Sequence, residues 1–103
     1  MTIEERVRRI EFLLVHHEGC TLARKGAVIT AKKVPRNPQE YKEQLAIWTN
    51  AAERRRKFEF MINLRIKKLE QMGVDKVESL REAFLAVQTR AQAEDNKDRF
   101  FPS

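Results

Sequence analysis

One chain of 103 residues carries 21 Lys+Arg against 15 Asp+Glu, a formal charge of +6, and is 42% apolar and 35% charged. That apolar share suffices for one small core and excludes wholesale disorder, and no apolar run approaches the roughly 18 residues of a membrane span. The mixed-charge start Met1-Thr-Ile-Glu-Glu-Arg6 does not read as a signal peptide, and a lone Cys20 excludes an internal disulfide or a cysteine-rich zinc module. These features predict one small cytoplasmic domain over residues 1–103.

The breakers cluster at Gly19, Gly26, Gly73, Pro35, Pro38 and Pro102, leaving three long unbroken stretches. Thr2 followed by Glu5 forms a capping box, and Ile3, Val7, Ile10 and Leu14 then recur at helical spacing. This predicts a helix over about 3–17, with Gly19 just past its C-terminus. Residues 20–36 are β-branched and short, with Lys25-Gly26 as a candidate turn, and predict a basic β-hairpin.

Asn37-Pro38 opens the next element, with Asn as cap and Pro in the first turn. Tyr41, Leu45, Trp48, Ala52, Arg55, Phe58, Ile62, Ile66 and Leu69 then repeat every 3.5 residues on average, a coiled-coil spacing that predicts a long helix over about 38–72. Arg55 falls on this apolar stripe, where it reads as a polar layer paired with an acid of another helix. Residues 58–66 also alternate apolar and polar like a half-buried strand, although no breaker flanks them and helix formers surround them. Asp75 and Glu78 open a last helix over about 75–93, with Val77, Leu80, Phe84, Val87 and Ala91 on one face, and 94–103 form a tail. The expected fold is mainly α: helix, basic hairpin, long central helix and antiparallel C-terminal helix. The alternative is a small α+β domain with 58–66 as a third strand.

The charge is localised. Segments 1–18, 19–39, 40–72 and 73–103 sum to −1, +5, +3 and −1. The cations Arg24, Lys25, Lys32, Lys33 and Arg36 of the hairpin region therefore form one candidate phosphate-binding set, by charge and counterion release. Within Arg54–Lys57 four consecutive helical residues point four ways, but Arg54, Lys57, Arg65 and Lys68 share a face with Met61 between them.

Catalytic signals are weak. His16, His17 and Cys20 are too few for a zinc site within one chain, Ser79 and Ser103 have no base nearby in sequence, and no phosphate-binding glycine loop is present. The expectation is a protein that is not an enzyme and uses no metal or cofactor. It would bind DNA, RNA or a nucleoprotein through the cationic hairpin and helix stripe, with a homodimer through the central helix as a natural assembly. The alternative is an adaptor or inhibitor of an acidic protein partner, working through Phe58, Phe60, Ile62 and Leu64 or through the tail residues Phe100 and Phe101. A phage or plasmid accessory protein would suit this size.

Overall fold

In the computed structural model, which describes residues 1–34, 36–97 and 99–102, the chain forms three helices: α1 (Ile3–Lys33), α2 (Pro38–Gln71) and α3 (Val77–Lys97). Positions 35, 98 and 103 of the sequence-predicted hairpin and tail lie outside the described residues. At 1.5 Å per residue α1 and α2 are about 46 and 51 Å long, and they pair along almost their whole length as an antiparallel hairpin, with His17 against Glu59 and Arg24 against Trp48. The shorter α3 lies back along one face of that hairpin, antiparallel to α2, so that Glu59 meets Gln88 and Arg55 meets Asp95.

The starts of α1 and α2 are those the sequence predicts, whereas α3 begins at Val77 rather than at the Asp75/Glu78 box, and no Asp75 cap forms among the described residues. The Thr2 hydroxyl accepts from the Glu5 N–H at 3.1 Å, and the Asn37 side chain accepts from the Glu40 N–H at 3.1 Å. Between α2 and α3 the chain reverses at Gly73, whose φ of +71° only glycine adopts freely. The Val74 N–H donates to Leu69 O and the Gly73 N–H to Glu70 O, closing the last turn of α2 as a Schellman motif, and Val74 packs on the core beside it. Residues 58–66 are helical, and the strand alternative is not realised.

The β-hairpin of residues 20–36 is not formed, and α1 runs straight through Gly19 and Gly26 to Lys33. The reason is a buried stripe that never loses phase. From the half-buried Val7, the stripe of Ile10, Leu14, His17, Thr21, Arg24, Val28 and Ala31 alternates spacings of three and four. Its second half contains polar and small side chains that bury on α2 as fully as the leucines before them: His17, Thr21, Arg24 and Ala31 are all at most 9% exposed. Tertiary contact thus overrides the β-branched composition and the two glycines.

Two apolar clusters fill the bundle. One joins Ile10, Leu13 and Leu14 to Ile62, Ile66, Leu69, Leu80 and Val87; the other joins Ala27, Val28 and Ala31 to Phe101, with Tyr41, Leu45 and Trp48 alongside. The tail is therefore part of the core. Past the end of α3, Phe101 inserts near the α1/α2 turn with its ring 5.4 Å from both Tyr41 and Trp48.

Since neither Gly19 nor Gly26 has a positive φ, and an added Cβ at either meets nothing within 4 Å, Gly19→Ala and Gly26→Ala should each stabilise the chain by about 0.5–1 kcal/mol. Urea unfolding measures this at a concentration where the midpoint no longer depends on concentration. A loss of stability in Gly26→Ala would indicate the hairpin turn and refute the continuous helix.

Candidate nucleic-acid interface

The α1/α2 hairpin has two broad faces, and α3 covers one. On that face five carboxylates join the helices. Asp95 accepts from Arg24 Nε at 3.2 Å and pairs with Arg55, Glu59 meets His17 at 3.0 Å, Glu94 lies 3.7 Å from Lys25, Glu70 pairs with Arg81, and Glu18 pairs with Arg90. The central layer is the most enclosed. Arg24 also donates to the Trp48 carbonyl at 2.9 Å and stacks 3.9 Å above the indole, while Arg55 donates to the Thr21 hydroxyl at 3.2 Å. Burial works against the charge of the Arg24 guanidinium, and Asp95 offsets part of that effect.

The opposite face is bare and cationic. His16, Gly19 and Ala23 of α1 line a groove with Asn50, Arg54 and Lys57 of α2; one carboxylate, Glu53, lies along it. Two aromatic side chains line the groove, His16 stacked on Phe58 at 5.5 Å, while Phe12, outside the groove, lies edge-on to His16 at 4.3 Å. Toward the end of α2 a second depression brings Arg6 of α1 together with Arg65 and Lys68, beside Met61 and Leu64. Among the described residues, none of Arg6, Arg54, Lys57, Arg65 and Lys68 makes an ion pair within 4 Å. Five carboxylates are engaged on the α3 side, and in the groove itself only Glu53 stands near the cations of the far side.

The cations singled out from sequence therefore separate into three groups. Arg54, Lys57, Arg65 and Lys68 share the bare face. Lys32, Lys33 and Arg36 are exposed at the α1/α2 turn, with the Lys32 ammonium 6.0 Å from the Phe100 ring. Arg24 is 8% exposed and belongs to the internal layer, and Lys25 is engaged by Glu94, so neither presents a free charge. With no hairpin formed, these five residues do not make one patch.

The apolar candidates separate likewise. Ile62 is fully buried and Phe101 is 4% exposed, so both are core rather than docking residues. Phe58 is half-buried under His16, and Phe100 is half-buried with its ring 6.2 Å from Tyr41. Phe60 and Leu64 stay exposed in separate depressions, Phe60 facing Leu85 between α2 and α3, and Leu64 beside Arg6.

Sequence reasoning missed the contributions of Arg6, His16 and Asp95. The last had a signal: Asp95 stands four residues past Ala91, in phase with the apolar face of α3, just as Arg24 and Arg55 stand on the stripes of their own helices. Among the described residues no three His, Cys, Asp or Glu side chains come together as a metal site, and no helix is long and apolar enough to cross a membrane. No protein-family model, curated relative or solved structure matches this chain.

Two outcomes follow from the internal layer. Asp95→Ala leaves two enclosed guanidinium groups without their shared carboxylate and should cost about 3 kcal/mol, measured by chemical unfolding. Cys20 is 8% exposed, and burial pushes its thiol up against the opposing pull of Arg54 and Arg55. A raised folded-state value means a stabilising contribution that is complete below the thiol's ordinary range and is lost as pH rises through the raised one. Native protein at pH 8 should accordingly resist iodoacetamide, while urea-unfolded protein reacts at the rate of a free thiol.

Proposed function

We propose that this protein is a non-catalytic nucleic-acid-binding protein whose contact surface is the bare α1/α2 face. The observation that carries the reading is the set of cations on that side of the hairpin, Arg54, Lys57, Arg65 and Lys68 with Arg6. From Arg54 to Lys68 the stripe runs about 21 Å along the helix axis, the axial span of about six phosphates of one strand at 3.4 Å each. Such a surface attracts a polyanion by counterion release and needs no base-specific contact. The aromatic lining supports the same reading, because His16 and Phe58 offer flat apolar surface between cations, the combination that accommodates unpaired bases. Lys32, Lys33 and Arg36, at the α1/α2 turn, add a second cationic area for a longer strand to reach.

Fluorescence anisotropy with a labelled 20-nucleotide single strand and the matching duplex tests the proposal. Affinity should fall steeply with salt, and Arg54→Ala/Lys57→Ala/Arg65→Ala/Lys68→Ala should lower the slope of log K against log salt by roughly 3 to 4. Because all four are surface positions, the far-UV spectrum should be unchanged. Replacing Lys42, Lys76 and Lys97, basic residues outside the groove, by Ala should leave the slope within about one unit of wild type if the groove is the contact. Absence of binding to either probe at low salt would refute the proposal, as would equal losses in the two variants.

A further inference from the structure

The outward face of α1 carries a seam that the fold of one chain does not use. Phe12, Val15, Gly19, Leu22, Gly26 and Ile29 follow at spacings of three, four, three, four and three, the a and d rhythm of a coiled coil. The four large side chains are 62%, 69%, 67% and 45% exposed. Both glycines are exposed too, and no turn, positive φ or close neighbour within the chain calls for glycine at either position. Glycine weakens a helix interior but lets another backbone approach closely.

We propose that this seam pairs antiparallel with α1 of a second copy of the chain, about a two-fold axis near residues 20 and 21. Antiparallel pairing sets each a position opposite a d position. Gly19 then lies opposite the partner's Leu22, Gly26 opposite the partner's Val15, and Phe12 opposite the partner's Ile29. Small meets large in the central layers, and two large groups close each end.

The flanking charges match in the same register. On the α3 side of the seam stand Glu11, Glu18, Lys25 and Lys32, and antiparallel pairing brings Glu11 beside the partner's Lys32 and Glu18 beside the partner's Lys25, each pair repeated by symmetry. Glu18 and Lys25 already reach Arg90 and Glu94 of their own α3, yet remain 49% and 43% exposed. On the other flank Arg9 lies beside the partner's Thr30 and His16 beside the partner's Ala23, with no like charges opposed. Parallel pairing matches neither property, since it sets glycine on glycine and Glu18 beside the partner's Ala23.

Because e positions face each other on one side of an antiparallel pair and g positions on the other, the α2 helices of both copies flank one side of the dimer and both α3 helices the opposite side. The two cationic grooves then border a common surface. The pairing rests on α1 alone, and because Gly19, His16 and Ala23 also line the groove, the partner helix borders it.

Light scattering on the full chain should give twice its mass of 12.2 kDa. Leu22→Lys and Gly19→Leu should each return the mass to that of one chain without changing the far-UV spectrum, since neither position touches the core. Glu11→Lys should weaken association about tenfold, and adding Lys32→Glu should restore it, a rescue that only antiparallel self-pairing produces. A single-chain mass at every concentration up to the solubility limit overturns the proposal. So does a dimer indifferent to Leu22→Lys, or one abolished instead by Phe60→Lys on α2.

Discussion

The bundle is held in register by one carboxylate shared between two guanidinium groups. Asp95 of α3 accepts from Arg24 of α1 and Arg55 of α2, positions 71 and 40 residues away along the chain. Apolar helix faces tolerate a slip of one turn, because one leucine replaces another at similar cost. A largely enclosed ion triad does not, since a slip leaves a guanidinium largely shielded from water without its partner, at a cost of several kcal/mol. The layer lies between the two apolar clusters and so fixes both. Toward one end it sets the level at which Ile62 and Ile66 meet Leu80 and Val87. Toward the other it anchors α3 so that Phe101, six residues beyond Asp95, falls level with Tyr41 and Trp48.

The same layer organises the surface charge. A chain with more Lys and Arg than acid cannot neutralise all its cations internally, and the placement of the acids decides which ones are left. Here Glu18, Glu59, Glu70, Glu94 and Asp95 join the helices on the α3 side. Exposed pairs among them contribute little individually, about 0–1 kcal/mol, so their main consequence is spatial. Arg54, Lys57, Arg65 and Lys68 with Arg6 remain on the side α3 leaves bare, along an elongated molecule of 55 × 23 × 17 Å.

How far this was legible in the sequence depended on which residues carried the helical rhythm. The central and C-terminal helices, with Trp48, Phe58, Ile62, Leu80 and Phe84 on their stripes, could be read directly, as could the N-caps of α1 and α2, while the Asp75/Glu78 box does not cap α3. The second half of α1 could not, because its buried stripe is written in Thr21, Arg24, Ala27, Val28 and Ala31. Those residues do not register as apolar period, and the interleaved Gly26 looks like a turn. The expected basic patch failed with the hairpin, since a helix spreads residues 24, 25, 32 and 33 around its axis and buries the first. The cationic stripe of α2 could be found because four-and-three spacing already states which helical residues share a side. The α1 contributions, His16 across the groove and Arg6 in the second depression, depend on how two helices meet, and no single-helix pattern contains that.

The weak point of α1 is also its most informative stretch. Residues 19–26 contain two glycines and little apolar surface, so the helix there owes its formation to the partners it meets rather than to propensity. Inward, those partners are Trp48, Arg55 and Asp95, which hold Thr21 and Arg24. Outward, Val15, Leu22 and Ile29 repeat at intervals of seven and remain largely exposed among the described residues. Both faces of α1 thus keep the 3.5-residue period that lets a helix follow a neighbour along its length. A helix whose only packed face was the inner one would have no reason to maintain that period outside, or to keep its Cβ-less positions in step with it.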